Sequence, residues 1–232
     1  MKYKEKRSNE ISMKEIRPEM IGAGLDNVCY HFNDKTVCLH SDIEYGLPDS
    51  LVIHLITNFN CLAMKKLIVT DFPISEEPED WTGLLEGDKY VIEEVPTGLA
   101  ENDISQSIAV EEFLKKHKKP FKVKDNCNNI AHIEMIKEAD IVVGFPGVNI
   151  LKPYVKLIER YNKNYFIGGF VTEENFSDYL EVFSDCKLKI NSVMEMHVMT
   201  DYYNDCKGYL IWMDNFEEEC DRDTNLYACC SV

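Results

Sequence analysis

A glycine-rich turn between an apolar strand pattern and a helical pattern is the sharpest candidate for a ligand site. The turn covers residues 144–149 and reads Gly-Phe-Pro-Gly-Val-Asn. Its glycines would let a ligand approach the backbone closely, and the unpaired N–H groups that begin the next helix would favour an anionic or polar group. Alternatively, the turn only connects the strand tightly to the helix. Together with a second glycine pair after the next strand pattern, the turn predicts these cofactor-binding residues: Gly144, Phe145, Pro146, Gly147, Asn149, Gly168 and Gly169.

Three carboxylates that directly follow strand patterns are the candidates for catalysis. Asp71 comes after the apolar run Leu67–Thr70, where a carboxylate can contact a ribose hydroxyl or a metal. Glu93 and Glu94 follow the pattern Tyr90–Ile92 and could supply a general acid or base. The structural alternatives are an Asx turn at position 71, and one solvated carboxylate beside one lysine partner at positions 93–94.

Other patterns with known chemistry are absent or incomplete in the sequence. Residues 21–27 begin like the dinucleotide fingerprint G-x-G-x-x-G, but Asn27 replaces the last glycine, so we interpret them as a turn. Neither a P-loop nor a G-x-S-x-G elbow is present, which disfavours P-loop enzymes and α/β serine hydrolases. The six histidines show no i,i+4 pair and the nine cysteines no C-x-x-C pair, so no metal site is predicted.

The elements around the glycine-rich turn form two consecutive strand–loop–helix units. The first has a strand pattern at 139–143 and a helix pattern at 150–161 with an apolar stripe that includes Leu151, Val155 and Ile158. The second has a strand pattern at 164–167 and a helix that Thr172 would cap. This succession predicts parallel strands with right-handed crossovers, so both glycine corners should open onto one crevice.

The rest of the chain predicts additions on both sides of this core. Residues 1–64 would form a charged arm, a β-hairpin over Asn27–His40 and a helix from Asp49 or Ser50 to about residue 63. Residues 65–186 would form the core, and residues 187–232 an antiparallel extension packed on it. The predicted fold class is therefore α/β, a Rossmann-like three-layer sandwich with a mostly parallel sheet and these two additions.

The segment Ala139–Gly147 resembles the later strand–turn pieces of Rossmann-like proteins that bind a nucleotide cofactor or S-adenosylmethionine. The resemblance extends through Ile167. It implies a cofactor of this kind over the loops at 144–149 and 168–170. The long acidic stretch at 74–88 would then cover the cofactor as a lid.

The charge balance predicts which partners the protein takes. Lys and Arg number 25 and Asp and Glu 41, which gives a formal net charge of −16. Because nucleic acids and anionic membranes attract clustered cations, this predicts a small-molecule ligand, no nucleic acid and no membrane. The charged N-terminus lacks a secretory pattern, which predicts a cytoplasmic protein. Aromatic residues near the C-terminus suit a homodimer interface as well as internal packing.

Two hypotheses about function remain open at this point. The first is an enzyme, a transferase or oxidoreductase, that acts on a small molecule with a nucleotide-type cofactor or S-adenosylmethionine at the carboxyl ends of its strands. The second is a non-catalytic protein that senses a small ligand or docks through its acidic surface. Because a ligand that binds only the native state raises its stability, thermal-shift measurements separate the two.

Overall fold

The protein is a mixed α/β structure with one sheet of eight strands. The computed structural model describes residues 18–40, 50–70, 84–97, 99, 103–124, 133–199 and 205–217. The helices are α1 (Pro18–Leu25), α2 (Ser50–Thr57), α3 (Asp103–His117), α4 (Ile133–Glu138), α5 (Val148–Arg160) and α6 (Phe176–Asp185). The strands are β1 (Thr36–His40), β2 (Lys66–Thr70), β3 (Leu84–Ile92), β4 (Lys118–Lys124), β5 (Ile141–Gly144), β6 (Asn164–Val171), β7 (Lys189–Met199) and β8 (Asp205–Asp214).

The strand order is β4-β3-β2-β1-β5-β6-β8-β7. The four central strands β2, β1, β5 and β6 run parallel to one another. Antiparallel strands flank them, β3 and β4 on one side and β8 and β7 on the other. The predicted α/β class is therefore confirmed, and the predicted parallel arrangement holds for the centre of the sheet.

The centre of the sheet is covered by apolar side chains on both faces, as is usual for parallel strands. Every residue of β1 and of β5 is buried, as expected for strands covered by helices on two sides. Val37 and Leu39 face a cluster that contains the buried residues of α1, α2 and α3. Cys38 and Val142 face a second cluster that contains those of α4, α5 and α6. Alternation along each strand thus supplies two separate cores.

The predicted β-hairpin over Asn27–His40 is wrong in its first half. Cys29–Phe32 forms a 3-10 helix, and only the second half is a strand, β1. Phe32 is fully buried in the core on the α1 side. Both edges of β1 pair with parallel strands, β2 and β5, so no edge is left for a hairpin partner. A turn precedes β1, and Asp34 within it has a positive φ of 55°.

The last two strands pair antiparallel, as the sequence predicts for the region after residue 187. Strand β8 lies between β6 and β7, so this region continues the central sheet. The predicted division of the chain at 64/65 and 186/187 stays a prediction. Strands β1 and β8, which lie on either side of the predicted core, belong to the same sheet as the strands between them. Among the described helices, none is long and apolar enough to cross a membrane.

Candidate functional site at the carboxyl edge of the sheet

The order of the strands reverses next to β1, and this fixes the place where a ligand is expected. From β1 the chain continues to β2 on one side, and it later returns to β5 on the other side. In open parallel sheets, ligands bind beyond the carboxyl ends of the strands at such a reversal. His40, the last residue of β1, pairs with Thr70 of β2 and with Gly144 of β5. These three residues mark the candidate site.

The loop that leaves β5 at this edge is the predicted glycine-rich turn. Gly144 is the last residue of β5, and α5 begins directly after Gly147. Gly147 caps α5 without a side-chain hydrogen bond, which leaves the first N–H groups of the helix to other partners. Phe145 is half-buried and its ring meets that of Trp212 edge to face, with centroids 6.2 Å apart. The aromatic contact anchors the loop to the sheet.

Gly144 has a packing reason to be glycine. A Cβ atom at this position would lie 2.9 Å from the Tyr154 hydroxyl, which is closer than real Cβ contacts. Tyr154 lies on α5 and is fully buried. The missing side chain therefore allows α5 to pack its tyrosine directly over the end of β5.

A buried polar pair, His40 and Tyr154, lies beneath the loop. A hydrogen bond of 2.8 Å joins His40 Nδ1 and the Tyr154 hydroxyl, and His40 is only 3% exposed. Cys38 Sγ lies 4.0 Å from His40 Nε2. Both ring nitrogens of His40 therefore have a polar neighbour. The pair links the end of β1 to α5 across the reversal point.

Burial keeps the two groups beside His40 in their neutral forms. It raises the pKa of the Cys38 thiol, with a smaller contribution in the same direction from the Glu138 carboxylate. Burial likewise raises the pKa of the Tyr154 phenol well above its ordinary value. A thiol of this kind is a poor nucleophile, because the thiolate is the reactive form. The cluster is therefore suited to positioning and hydrogen bonding.

The buried Cys38 thiol should make the protein less stable at alkaline pH. Its pKa is raised in the folded state, so above about pH 9 the unfolded chain loses this proton while the folded protein keeps it. The thiol then contributes a fall of about 1.4 kcal/mol per pH unit to the free energy of unfolding. Urea titrations between about pH 8 and 11 measure the slope, and Cys38→Ala should reduce it by that amount. An unchanged slope would contradict the assignment.

The prediction that the chain leaves its strand at the second glycine pair is wrong. Gly168 and Gly169 lie inside β6, which continues to Val171, and they pair with Trp212 and Ile211 of β8. A Cβ atom on Gly168 would overlap the Phe145 ring and lie 2.7 Å from Trp212 Cζ3. These glycines make room for aromatic rings rather than turning the chain. Their predicted contact with a cofactor is untested, and the structure gives it no support.

The predicted catalytic carboxylates are not brought together with the loop. Strand β3 runs antiparallel to β2, so Ile92 pairs with Leu67 near the start of β2. Glu93 and Glu94 follow Ile92 and are exposed at the edge opposite to the candidate site. Asp71 lies outside the described residues, directly after Thr70 in the chain. A catalytic role for any of the three is untested.

Other predicted features can now be placed. Residues 21–25, the start of the incomplete fingerprint, belong to α1. Residues 84–88 of the acidic stretch belong to β3, and residues 74–83 lie outside the described part. Asn149 lies in the first turn of α5. Among the described residues, no group of three or more His, Cys, Asp or Glu side chains could hold a metal, whereas Cys220, Cys229 and Cys230 fall outside them.

Comparison with known proteins shows the family of the chain. Residues 4–221 match the family described as adenine-specific methyltransferase EcoRI. The chain is also similar to the type II methyltransferase M.MgeORF184P of Mycoplasma genitalium, with 25% identity over 150 residues. That alignment covers 63% of this chain and 38% of the relative, so the chain spans well under half of the relative's length.

These matches show that the predicted absence of a nucleic-acid partner is wrong. An adenine-specific methyltransferase family points to DNA as the substrate. The prediction used the net charge of −16, which sums over the whole chain. Binding to phosphates depends on local groups of cations, which such a sum does not report. The predicted small-molecule ligand and homodimer stay predictions.

Proposed function

Because the chain belongs to the family of EcoRI-type adenine-specific methyltransferases, we propose that it binds S-adenosylmethionine at the carboxyl edge of its sheet and methylates adenine in DNA. The proposal depends on the combination of this family match with the features found at the carboxyl edge of the sheet. At that edge the strand order reverses, a glycine-rich loop begins a helix, and a buried hydroxyl has no partner among the described residues. Of the two hypotheses from the sequence, this favours the group-transfer enzyme.

The topology supports the finer, Rossmann-like description of the fold. Five neighbouring strands lie side by side in the order β3, β2, β1, β5 and β6. If they are numbered by their appearance along the chain without β4, this is the doubly wound order 3-2-1-4-5. The chain departs from this order in one respect, since β3 is antiparallel. The cofactor position of such folds depends on the reversal between β1 and β5, and both of these strands keep the parallel direction.

The buried Thr70 hydroxyl is the structural feature that best fits a bound cofactor. Thr70 is fully buried, and its Oγ1 has no hydrogen-bond partner among the described residues. Leaving a buried hydroxyl unpaired costs about 1–3 kcal/mol, so native proteins seldom do so without a ligand or water. Thr70 ends β2 next to His40, at the reversal point. We infer that this hydroxyl pairs with a polar group of the cofactor.

The chain's own residues would then hold and orient the cofactor. The loop at 144–147 offers close backbone approach, and the first turn of α5 offers N–H donors. Asp71 follows Thr70 in the sequence and is the candidate for a ribose hydroxyl. S-adenosylmethionine, when bound, supplies a methyl group on a positively charged sulfur. The His40–Tyr154 pair would keep the loop and β1 in fixed positions.

The substrate base must also reach this edge. An adenine stacked inside a duplex is inaccessible, so enzymes that modify bases turn the target nucleotide out of the stack into a pocket. The proposal therefore places the extruded adenine next to the loop at 144–147. Glu93 and Glu94 take no part in it, because β3 carries them to the opposite edge.

A thermal-shift titration with S-adenosylmethionine tests the proposed cofactor site. At a concentration about 100-fold above its Kd, a native-state ligand should raise Tm by roughly 5–10 °C in a chain of this size. Gly147→Val should abolish the shift, because the new side chain would block the start of α5. The fold should survive, since Gly147 has an ordinary φ of −59° that valine tolerates.

Asn164→Val is the matched control for this measurement. Asn164 is exposed at the start of β6, on the opposite edge of the sheet, and valine suits a strand. The control should keep the full shift. No shift in the native sequence would contradict the cofactor assignment, and an equal shift in all three proteins would remove the loop at 144–147 from the site. Transfer of labelled methyl groups to adenine-containing duplexes then tests the reaction itself.

A further inference from the structure

A dense run of lysines lies at one end of the sheet, away from the candidate site loop. The ten residues 115–124 contain six lysines, one histidine and no acidic residue, in a chain with 25 Lys and Arg in total. We call these six the lysine strip: Lys115, Lys116, Lys118, Lys119, Lys122 and Lys124. The first two lie in the last turn of α3, and the other four lie on the edge strand β4. Nearly a quarter of the chain's cations is therefore concentrated here.

The register of the sheet connects the lysine strip to the candidate site. Paired residues form one row across five strands: Lys119, Lys89, Thr70, His40 and Gly144. Lys119 therefore lies level with the last residues of β1, β2 and β5. Because β3 and β4 are each antiparallel to their inner neighbour, β4 runs in the same direction as β2. Strand β4 therefore runs toward the edge where the cofactor is proposed to bind.

Strand β4 continues past the level at which the parallel strands end. Residues 120–124 pair with residues 84–88 of β3, beyond the row that contains Thr70. At ~3.3 Å per residue, these five residues extend about 17 Å beyond that row. Lys122 and Lys124 occupy positions in this extension. A large molecule at the carboxyl edge would thus meet the lysine strip along its side.

Ordinary structural roles account for only part of the lysine strip. Lysines in the last turn of a helix stabilise its dipole, which suits Lys115 and Lys116. Lysines and a proline on an edge strand prevent pairing with other sheets, which suits β4 and Pro120. Neither role requires both sets to be adjacent. Lys115 pairs with Glu111 but remains 65% exposed, and Lys116, Lys118 and Lys119 are exposed too.

We propose that the lysine strip contacts the phosphate backbone of duplex DNA whose target adenine lies at the carboxyl edge. This inference rests on the proposed function, because it takes DNA as the substrate. A duplex carries one negative charge per ~1.7 Å of its axis, and lysines that neutralise phosphates release counterions. In a chain of net charge −16, a local cluster is required to overcome repulsion from the rest of the surface. The contact reads no sequence; it fixes the orientation of the duplex.

The test is the salt dependence of duplex binding by three forms of the full chain. The first form has the native sequence. The second removes four exposed lysines of the strip: K115Q, K116Q, K118Q and K119Q. The third removes four exposed cations near the opposite edge of the sheet: K65Q, K137Q, R160Q and K187Q. Both variants therefore lose the same charge. Binding of an adenine-containing duplex is measured between about 50 and 200 mM KCl, and S-adenosylmethionine binding is measured for each form.

The proposal expects a loss that is specific to the lysine strip. The strip variant should bind the duplex about 100-fold or more weakly at ~50 mM salt, and the slope of log K against log salt should fall by about 3–4. The control should stay within about threefold of the native protein. Both variants should bind S-adenosylmethionine normally, because neither changes the cofactor loop.

Two results would overturn the proposal. One is an equal loss of duplex affinity in both variants, and the other is the absence of duplex binding by the native protein. The proposed function is judged separately. If the native protein binds the cofactor and methylates adenine but the strip variant binds the duplex normally, only the role of the lysine strip is contradicted. If the strip variant loses duplex binding but the native protein does not bind S-adenosylmethionine, only the proposed methyltransferase function is contradicted.

Discussion

Replacing Trp212 by alanine should lower the free energy of unfolding by about 3–5 kcal/mol, the usual cost of removing a fully buried tryptophan. Trp212 on β8 is 1% exposed, and its ring stacks on Phe166 with centroids 4.8 Å apart. Its Nε1–H donates a hydrogen bond of 3.1 Å to the Met20 carbonyl oxygen in α1. The substitution therefore leaves a cavity and also removes the hydrogen bond that joins β8 to α1. Urea unfolding followed by circular dichroism measures the change.

Tyr209→Ala provides the control on the same strand. Tyr209 lies three residues before Trp212 in β8 and is 45% exposed. Its substitution also removes an aromatic ring. Surface substitutions usually change stability by less than about 1 kcal/mol, so this variant should unfold close to the native protein. Equal destabilisation by the two substitutions would show that β8 depends on aromatic content in general and would contradict the specific role of Trp212.

Trp212 connects three parts of the molecule that are distant in sequence. Its ring lies against Phe145 of the candidate loop, and its indole holds α1. Two glycines provide the space for it, since Cβ atoms at Gly24 or Gly168 would overlap its ring. The antiparallel strand at the C-terminal side therefore supports the loop that would hold the cofactor. Loss of the tryptophan should affect both stability and cofactor binding.

The sequence predicts best where a single local pattern determines the structure. The strand before Gly144 and the helix after Gly147 were both predicted, because an apolar run, a glycine turn and a 3.6-residue stripe follow one another without interruption. The rule that ligands bind at the reversal of strand order led to the same loop that the topology marks. Local patterns were sufficient to predict the strand and the helix, and the binding role of the loop stays a prediction.

Features that depend on distant partners could not be predicted. Gly168 and Gly169 look like a corner in sequence, but rings from Trp212 and Tyr179 require them inside a strand. The direction of β3 depends on its pairing with β2, so Glu93 and Glu94 were placed at the wrong edge. Both errors concern contacts that no window of neighbouring residues contains.

His40 shows a signal that sequence reasoning could have used. It ends the apolar run Thr36–His40, and the rule about carboxyl strand ends applies to it as it does to Gly144. Interpreting this run as half of a hairpin removed it from the parallel sheet and hid the position. Its partner Tyr154 lies 114 residues later, so only the structure could supply the pair.

The net charge misled the partner prediction for a similar reason. A total of −16 is compatible with a strong local cluster, and residues 115–124 carry six lysines without an acidic residue. Lys115 and Lys116 lie in the last turn of α3, and β4 continues the same charge along the edge of the sheet. Charge must therefore be mapped onto strands before a class of partner is excluded.

The paired glycines of β6 allow a direct separation of fold from site. Gly168→Ala would push its methyl group into Phe145 and Trp212, and Gly169→Ala would push its own into Tyr179, with Cε1 at 2.9 Å. Each overpacked variant should lose about 1–3 kcal/mol of unfolding free energy. Only Gly168 touches the loop through Phe145, because neighbouring strand residues face opposite sides of the sheet. The two substitutions should thus have similar effects on stability, but they act on opposite faces of the sheet.

The two variants should therefore differ in their affinity for S-adenosylmethionine. A shift of the Phe145 loop by about 1 Å can cost one to two orders of magnitude in a positioned site, so Gly168→Ala should weaken cofactor binding at least about tenfold. Gly169→Ala should bind within about threefold of the native protein once its lower stability is taken into account. Isothermal titration below the melting range measures both. Equal affinities would separate the loop from the cofactor, and a larger loss at Gly169 would move the site to the α6 face of the sheet.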